Sequence, residues 1–263
     1  MNNITILGSN SAIPSINKFS SAQFLNINGT GCLIDCCEGC QMRMQMNDIK
    51  TSAVDHIFIS HLHGDHFFGL IGLISTMNMQ NRSQPLNVYG PMELKEIVDI
   101  QLKASLTELN FECNFIVTNP DEFEQIAKFK NFEVFSIPLT HSVKTTGFLF
   151  KSTMRNKPFS YAYISDTIYK PEIVPYIENV DVLYHEATYM EDSKDNAVSK
   201  FHATCREAGE IARLANAKKL LIGHFSKKYH NYSLMLAEAK TEFENTEVVH
   251  DNMVIGLVPL PTA

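Results

Sequence analysis

The chain has little that would tie it to a membrane. No apolar run approaches the ~20 residues that a bilayer span needs. The stretch Met1-Asn-Asn-Ile-Thr-Ile-Leu-Gly carries neither the basic region nor the long apolar region of a secretory signal. These absences predict a cytoplasmic protein with no membrane partner. Pro/Gly/Ser-rich stretches, low-complexity segments and simple repeats are also missing, so residues 1–263 are expected to form a single domain. Positive charge is in deficit: the formal net charge is −7, which gives no broad field to attract a polyanion. Cysteine is sparse, with six residues. Cys32, Cys36, Cys37 and Cys40 include a lone Cys-x-x-Cys without the second pair that a zinc knuckle requires, so reduced and mostly buried thiols are expected. What remains is an ordinary globular composition, 44% hydrophobic.

Against that background one cluster stands out. His61-Leu62-His63-Gly64-Asp65-His66 follows the apolar run Ile57-Phe58-Ile59 and crowds three imidazoles and a carboxylate into six residues. Imidazole nitrogen and carboxylate oxygen are donors that zinc takes, and a tight turn at a strand end, which Gly64 would permit, lets such side chains converge. Neither His61/His63 nor Asp65/His66 completes a tetrahedral shell, so further donors must come from downstream. His141, Asp166 and His224 each stand where an apolar stretch ends, after Phe135-Ser-Ile-Pro-Leu-Thr, Tyr161-Ala-Tyr-Ile-Ser and Leu220-Leu-Ile-Gly. A dinuclear centre requires donors gathered this way, with a carboxylate such as Asp166 able to bridge two ions.

The pattern predicts an α/β chain. Strands are expected near 3–8, 23–28, 31–35, 56–60, 86–89, 132–137, 146–151, 159–165, 181–185, 219–223 and 253–258, with helices between several of them. Leu94, Ile97, Val98 and Leu102 fall on one helical stripe. Thr204 and Glu207 form a capping box ahead of Ala208, Ile211, Ala212 and Ala215, which sets His202 just outside a helix start. Met42, Met44 and Met46 read as core or gap-filling side chains. His56, His185, His230 and His250 follow no ligand pattern and are expected to be structural or superficial.

The cluster, the spaced His141, Asp166 and His224, and several flanking stretches resemble the metallo-β-lactamase superfamily. Within it, most of the chain resembles the ribonuclease Z branch. The opening Leu7-Gly8-Ser9-Asn10-Ser11-Ala12-Ile13-Pro14-Ser15, the stretch Leu33-Ile34-Asp35-Cys36-Cys37-Glu38-Gly39-Cys40-Gln41, and three later signatures carry the likeness. Those signatures are His185-Glu186-Ala187-Thr188, Phe201-His202-Ala203-Thr204 and Gly223-His224-Phe225-Ser226-Lys227-Lys228-Tyr229. Cys37 and Cys40 stand where the family more usually has Gly and Thr.

The resemblance implies an αββα sandwich of two mixed β-sheets flanked by helices. It also implies two zinc ions, with manganese or another divalent metal as substitutes. His61, His63 and His141 would bind one ion, Asp65, His66 and His224 the other, and Asp166 would bridge. Asp65 would also take the proton of the attacking water, and Asp35 would orient a ligand imidazole. His202, aimed by Glu186, would protonate the leaving oxygen, because a carboxylate beside an imidazole raises its pKa and directs its proton. Lys228 and Tyr229 would contact substrate phosphate and a base.

The reaction expected is hydrolysis of a phosphodiester, with the 3′ trailer of precursor transfer RNA as first substrate. In one respect the sequence departs from the family. Only 24 residues, Ser142 to Ser165, separate His141 from Asp166, where ribonuclease Z enzymes usually carry a flexible arm that grips transfer RNA. A hairpin turning at Met154-Arg155-Asn156-Lys157-Pro158 fills that space, and its Lys144, Lys151, Arg155 and Lys157 make a reduced electrostatic handle for RNA. The missing arm leaves room for a partner subunit or homodimer mate that compensates for it. It also leaves room for a second reading, a phosphodiesterase for a small ester such as a cyclic nucleotide. A third reading, a non-catalytic binding module, requires missing ligands, and all seven ligand positions are filled.

Overall fold

The computed structural model describes residues 2–13, 15–16, 18–154 and 158–257. Pro14 of the opening stretch, Arg155, Asn156 and Lys157 of the expected turn, and Val258 at the end of the last expected strand lie outside the described residues. The chain divides into two compact units, Met1–Thr118 with Asp251–Ile255, and Asn119–His250 with Gly256–Ala263.

In the first unit, β1 (Asn3–Gly8), β2 (Ala22–Ile27) and β3 (Thr30–Ile34) run as an antiparallel meander. β4 (His56–Phe58), β5 (Leu86–Gly90) and β6 (Cys113–Val117) then add in parallel. The strand Val254–Gly256 pairs outside β1 to make seven. Parallel strands buried on both faces read as continuous apolar runs, and Leu33, Ile34, Ile57, Phe58 and Val88 are fully buried. Each such side chain contributes about 1.5–3 kcal/mol. Helices α1 (Cys40–Met46), α2 (Gly64–Phe67), α3 (Leu70–Met79) and α4 (Leu94–Ala104) supply the rest of this core through Met44, Leu70, Leu73, Ile74, Leu94 and Val98. Ile97 and Leu102 on the expected stripe are only half-buried.

The second unit repeats the theme with a mixed sheet. β7 (Glu124–Lys128), β8 (Phe132–Pro138), β9 (Thr146–Ser152) and β10 (Ser160–Ile164) are antiparallel. β11 (Val182–Glu186), β12 (Leu220–Gly223) and β13 (Thr246–Val248) extend the sheet in parallel. The basic hairpin expected before Asp166 is β9–β10, with Ser160 opposite Lys151. Helices α5 (Lys194–Ser199), α6 (Cys205–Leu214) and α7 (Tyr232–Lys240) complete the unit, and Ala208, Ile211, Ala212, Met235 and Ala239 enter its core.

The capping box at α6 is formed in both directions: Glu207 N donates to Thr204 Oγ1 at 3.2 Å, and Thr204 N donates to Glu207 Oε2 at 3.0 Å. Such a cap contributes about 1 kcal/mol.

One expectation needs correction. Met42 and Met46 are 54% and 67% exposed, and only Met44 is core, because residues two apart on a helix face different ways. Gly64 stands beyond the strand end and opens α2 without a left-handed conformation, and a Cβ there would lie 2.3 Å from the Phe68 ring. Among the described residues no helix is long and apolar enough to cross a membrane. The six cysteines are free, and all but the half-buried Cys113 are buried.

Candidate metal centre and proton-donating pair

In the first unit β3 ends at Ile34, and Asp35 follows in a left-handed conformation at φ 55°. Such a non-glycine residue costs about 1–3 kcal/mol and persists where its surroundings over-determine it. Those surroundings are a hydrogen-bond cage. The fully buried Asp35 accepts from Ser60 N at 2.8 Å and Ser60 Oγ at 3.0 Å, and its Oδ2 meets His66 Nδ1 at 2.7 Å. A carboxylate only accepts, so His66 carries its proton on Nδ1 and presents Nε2 as a donor atom. The Ser60 hydroxyl, its proton given to Asp35, accepts from His61 Nδ1 at 3.0 Å, which leaves Nε2 as the donor atom of His61 as well.

His63 directly precedes α2, and Asp65 and His66 stand on that helix. His61 Nε2 and His63 Nδ1 are 3.0 Å apart, and His66 Nε2 and Asp65 Oδ2 are 3.4 Å apart. Two ligands at the ~2.0–2.1 Å bond length of zinc and a tetrahedral angle are separated by roughly 3.3 Å, so both pairs have the spacing of donors on one ion. Asp65 Oδ2 also accepts from Ala12 N at 2.8 Å, which ties the opening turn to the cluster.

In the second unit Asp166 follows β10, and His224 follows β12 at φ 60°. The two Asp166 oxygens face different histidines: Oδ1 is 3.2 Å from His224 Nε2, and Oδ2 is 3.8 Å from His141 Nε2. A carboxylate that bridges two ions needs this disposition. His141 Nδ1 donates to the Phe201 carbonyl at 2.8 Å. Burial pushes the His141 imidazole below its ordinary range, although Asp166 and the Phe201 carbonyl pull it upward; the neutral ring is the form that binds a metal.

Glu186, the last residue of β11, is fully buried, and its Oε1 meets His202 Nδ1 at 2.8 Å. Burial alone raises a carboxyl, but the facing His202 outweighs it and holds Glu186 below its ordinary range. Glu186 Oε1 also accepts from Thr167 N at 2.8 Å, and Oε2 from Thr188 Oγ1 at 2.6 Å. The His202 side chain keeps 14% of its surface exposed, so it sits at the edge of the site with its carboxylate behind it. Glu186, His202 and His224 offer ligand atoms within 4.8 Å of one another, and the hydrogen bonds just given account for that closeness.

Lys228 Nζ donates to Ser193 Oγ at 2.8 Å and lies 5.2 Å from the centre of the Tyr229 ring, and the Tyr229 hydroxyl accepts from Met190 N at 3.1 Å. Both side chains thus brace the 190–193 segment. His56 and His185 are buried, while His230 and His250 are exposed. Sequence reasoning missed Ser60 and Thr188. A small hydroxyl residue placed directly before a ligand histidine, or two residues after the buried carboxylate, is the only sign of them in the sequence.

Two mixed sheets flanked by helices, with histidines and aspartates set at strand ends, define a metal-dependent hydrolase of the metallo-β-lactamase fold. Residues 2–249 match the family model described as "Anti-Pycsar protein Apyc1". The ribonuclease Z of Phocaeicola vulgatus is 36% identical, with 97% of each chain covered, and that of Cytophaga hutchinsonii is 37% identical, covering 92% of this chain and 91% of its own. The crystal structure of the short form of human tRNase Z is 28% identical, covers 98% of this chain and 100% of its own, and has a TM-score of 0.81. A metallo-β-lactamase-fold protein of Bacillus subtilis shares the fold at a TM-score of 0.80, with 22% identity and 97% and 98% coverage. The chain belongs to the ribonuclease Z family and to the family described as Anti-Pycsar protein Apyc1.

Proposed function

We propose that the protein is a metal-dependent endoribonuclease that removes 3′ trailers from precursor transfer RNA in the cytoplasm, with residues 1–263 acting as one catalytic domain. His61, His63 and His141 would hold one divalent ion and Asp65, His66 and His224 a second, with Asp166 as the shared ligand; the nitrogen-rich donor set favours zinc over magnesium or calcium. When bound, such ions lower the pKa of water toward neutrality and neutralise charge on the phosphate.

The chain's own residues then move the protons. Asp65 accepts one from the attacking water. As the bond from phosphorus to the leaving oxygen breaks, His202 delivers a proton from Nε2, because Nδ1 is committed to Glu186. The observation that carries the reading is this 2.8 Å pair of a fully buried carboxylate and an edge-exposed imidazole, in a chain whose relatives are named ribonuclease Z. Lys228 and Tyr229 position the loop beside the substrate phosphate.

The length of the chain favours a second reading. The alignment to the Phocaeicola vulgatus enzyme runs over 299 positions against a chain of 263, and only a hairpin separates His141 from Asp166. A chain without an RNA-gripping arm suits a small phosphodiester such as a cyclic nucleotide; for RNA, a second copy of the chain would supply the missing grip. The test is to incubate zinc-loaded protein, with Asp65→Ala as control, with a precursor transfer RNA and map the ends. A single cut at the end of the acceptor stem establishes RNA processing. Intact RNA beside rapid hydrolysis of a cyclic nucleotide transfers the activity to the small ester.

A further inference from the structure

The hydroxyl of Thr188 has no role in the reaction just described, yet three functional side chains meet at it. Thr188 is 2% exposed and lies just beyond β11. Its Oγ1 donates to Glu186 Oε2 at 2.6 Å, lies 2.9 Å from His224 Nδ1 and 3.3 Å from His202 Nδ1, and its backbone N donates to Glu186 Oε2 at 3.2 Å. A hydroxyl has one proton and two lone pairs. The short contact to an ionised carboxylate claims the proton, so toward His224 the oxygen can only accept. His224 must therefore carry its own proton on Nδ1, which leaves the Nε2 lone pair facing Asp166 Oδ1 at 3.2 Å.

We propose that Thr188 is a positioning residue whose hydroxyl sets the tautomer of His224, binding a metal ligand and the Glu186–His202 proton donor into one hydrogen-bonded unit. The proposal rests on the reading of His224 as a metal ligand. Its chemical logic is general: an imidazole ligand is held and made more basic by an acceptor on its other nitrogen, and losing that acceptor typically weakens metal binding about 10–100-fold. Here the acceptor is not a carboxylate but a hydroxyl polarised by one, so the charge that aims His202 also strengthens His224.

The experiment compares Thr188→Val, which keeps the branched shape and removes the hydroxyl, with Thr188→Ser, which keeps the hydroxyl and removes a methyl group. Zinc dissociation constants are read by competition with a chromophoric chelator, and cobalt substitution gives a spectrum of the ligand field. The Ser variant should match the native protein, while the Val variant should hold one ion about 10–100-fold more weakly and alter the cobalt spectrum. A purely structural Thr188 gives the reverse order, Val intact and Ser impaired, and that order overturns the proposal. Thr188→Ala serves as a second hydroxyl deletion if the Val side chain cannot be accommodated, and native-like binding by either hydroxyl-free variant also overturns it. His224→Ala separates the two levels. If it loses an ion while Thr188→Val does not, only the tautomer assignment fails; if it binds both ions normally, the ligand assignment itself fails.

Discussion

The two units of this chain solve one bonding problem with the same parts and put the solution to different uses. In the first, Asp35 follows directly on a strand, takes His66 Nδ1 on one oxygen, and polarises the Ser60 hydroxyl, which takes His61 Nδ1. In the second, Glu186 ends a strand, takes His202 Nδ1, and polarises the Thr188 hydroxyl, which takes His224 Nδ1. A carboxylate with an attached hydroxyl thus fixes two imidazoles in each. The difference lies in what those imidazoles do. Both histidines of the first unit belong to the proposed ligand set, so the device there only holds. In the second, one imidazole is a proposed ligand and the other the proposed proton donor, so the same device would both hold and react. One carboxylate–hydroxyl pair supports either task because the task depends on where the far ring nitrogen points.

The largest effect expected is the loss of hydrolysis in Asp65→Ala, on the order of 10³-fold or more, with an unchanged circular dichroism spectrum. Near-native turnover in that variant would remove the first unit from the chemistry. Next comes the contrast between the carboxylates. His202→Ala should slow esters with poor leaving groups about 10²–10⁴-fold while sparing activated aryl esters and metal content, and Glu186→Gln should slow the same esters but also weaken metal binding, because it removes the charge that polarises the Thr188 hydroxyl. Asp35→Ala should instead weaken metal binding about 10–100-fold and affect both ester types alike. Equal leaving-group sensitivity in the two sets of variants would erase the distinction between the units.

Ser60→Ala should act as a milder Asp35→Ala, with metal held roughly tenfold more weakly and no change in leaving-group dependence; unaltered zinc affinity would count against the parallel between Ser60 and Thr188. The smallest effect concerns pH. The Glu186 carboxyl lies below its ordinary value of 4.5, so its contribution to stability is complete above that pH and is lost as pH falls through the folded value. In metal-free protein, the difference in urea midpoint between the native chain and Glu186→Gln should therefore persist at about pH 5 and shrink as the pH falls below about 4.5. A difference unchanged on acidification well below about pH 4.5 would remove the Glu186 carboxylate from the stability of the fold.

Much of the scaffold around these groups is legible in the sequence. The apolar runs that end in Asp35, His61, Asp166 and His224 read as strands because buried strands leave little choice of side chain. The Thr204/Glu207 cap reads as a helix start because its two hydrogen bonds are local. Strands β6, β7 and β13 escape that reading. β6 and β7 are edge strands with mostly half-buried residues, and β13 has only three residues, so none shows a sustained apolar pattern. The methionines of α1 mislead for a similar reason: alternation suggests one buried face, and the helix distributes those residues over several.

The sequence by itself determined which donor atoms are available, that they stand at strand ends, and that His202 enters a helix under a cap, because residue type and short-range spacing suffice for each. Only the tertiary structure decided which nitrogen of each histidine is committed and to what. Ser60 is a chain neighbour of His61, yet Asp35, which polarises its hydroxyl, lies 25 residues away; Thr188 reaches His224 across 36 residues. Hydrogen-bond direction depends on distances near 3 Å between such separated groups, and those distances exist only after the strands have paired.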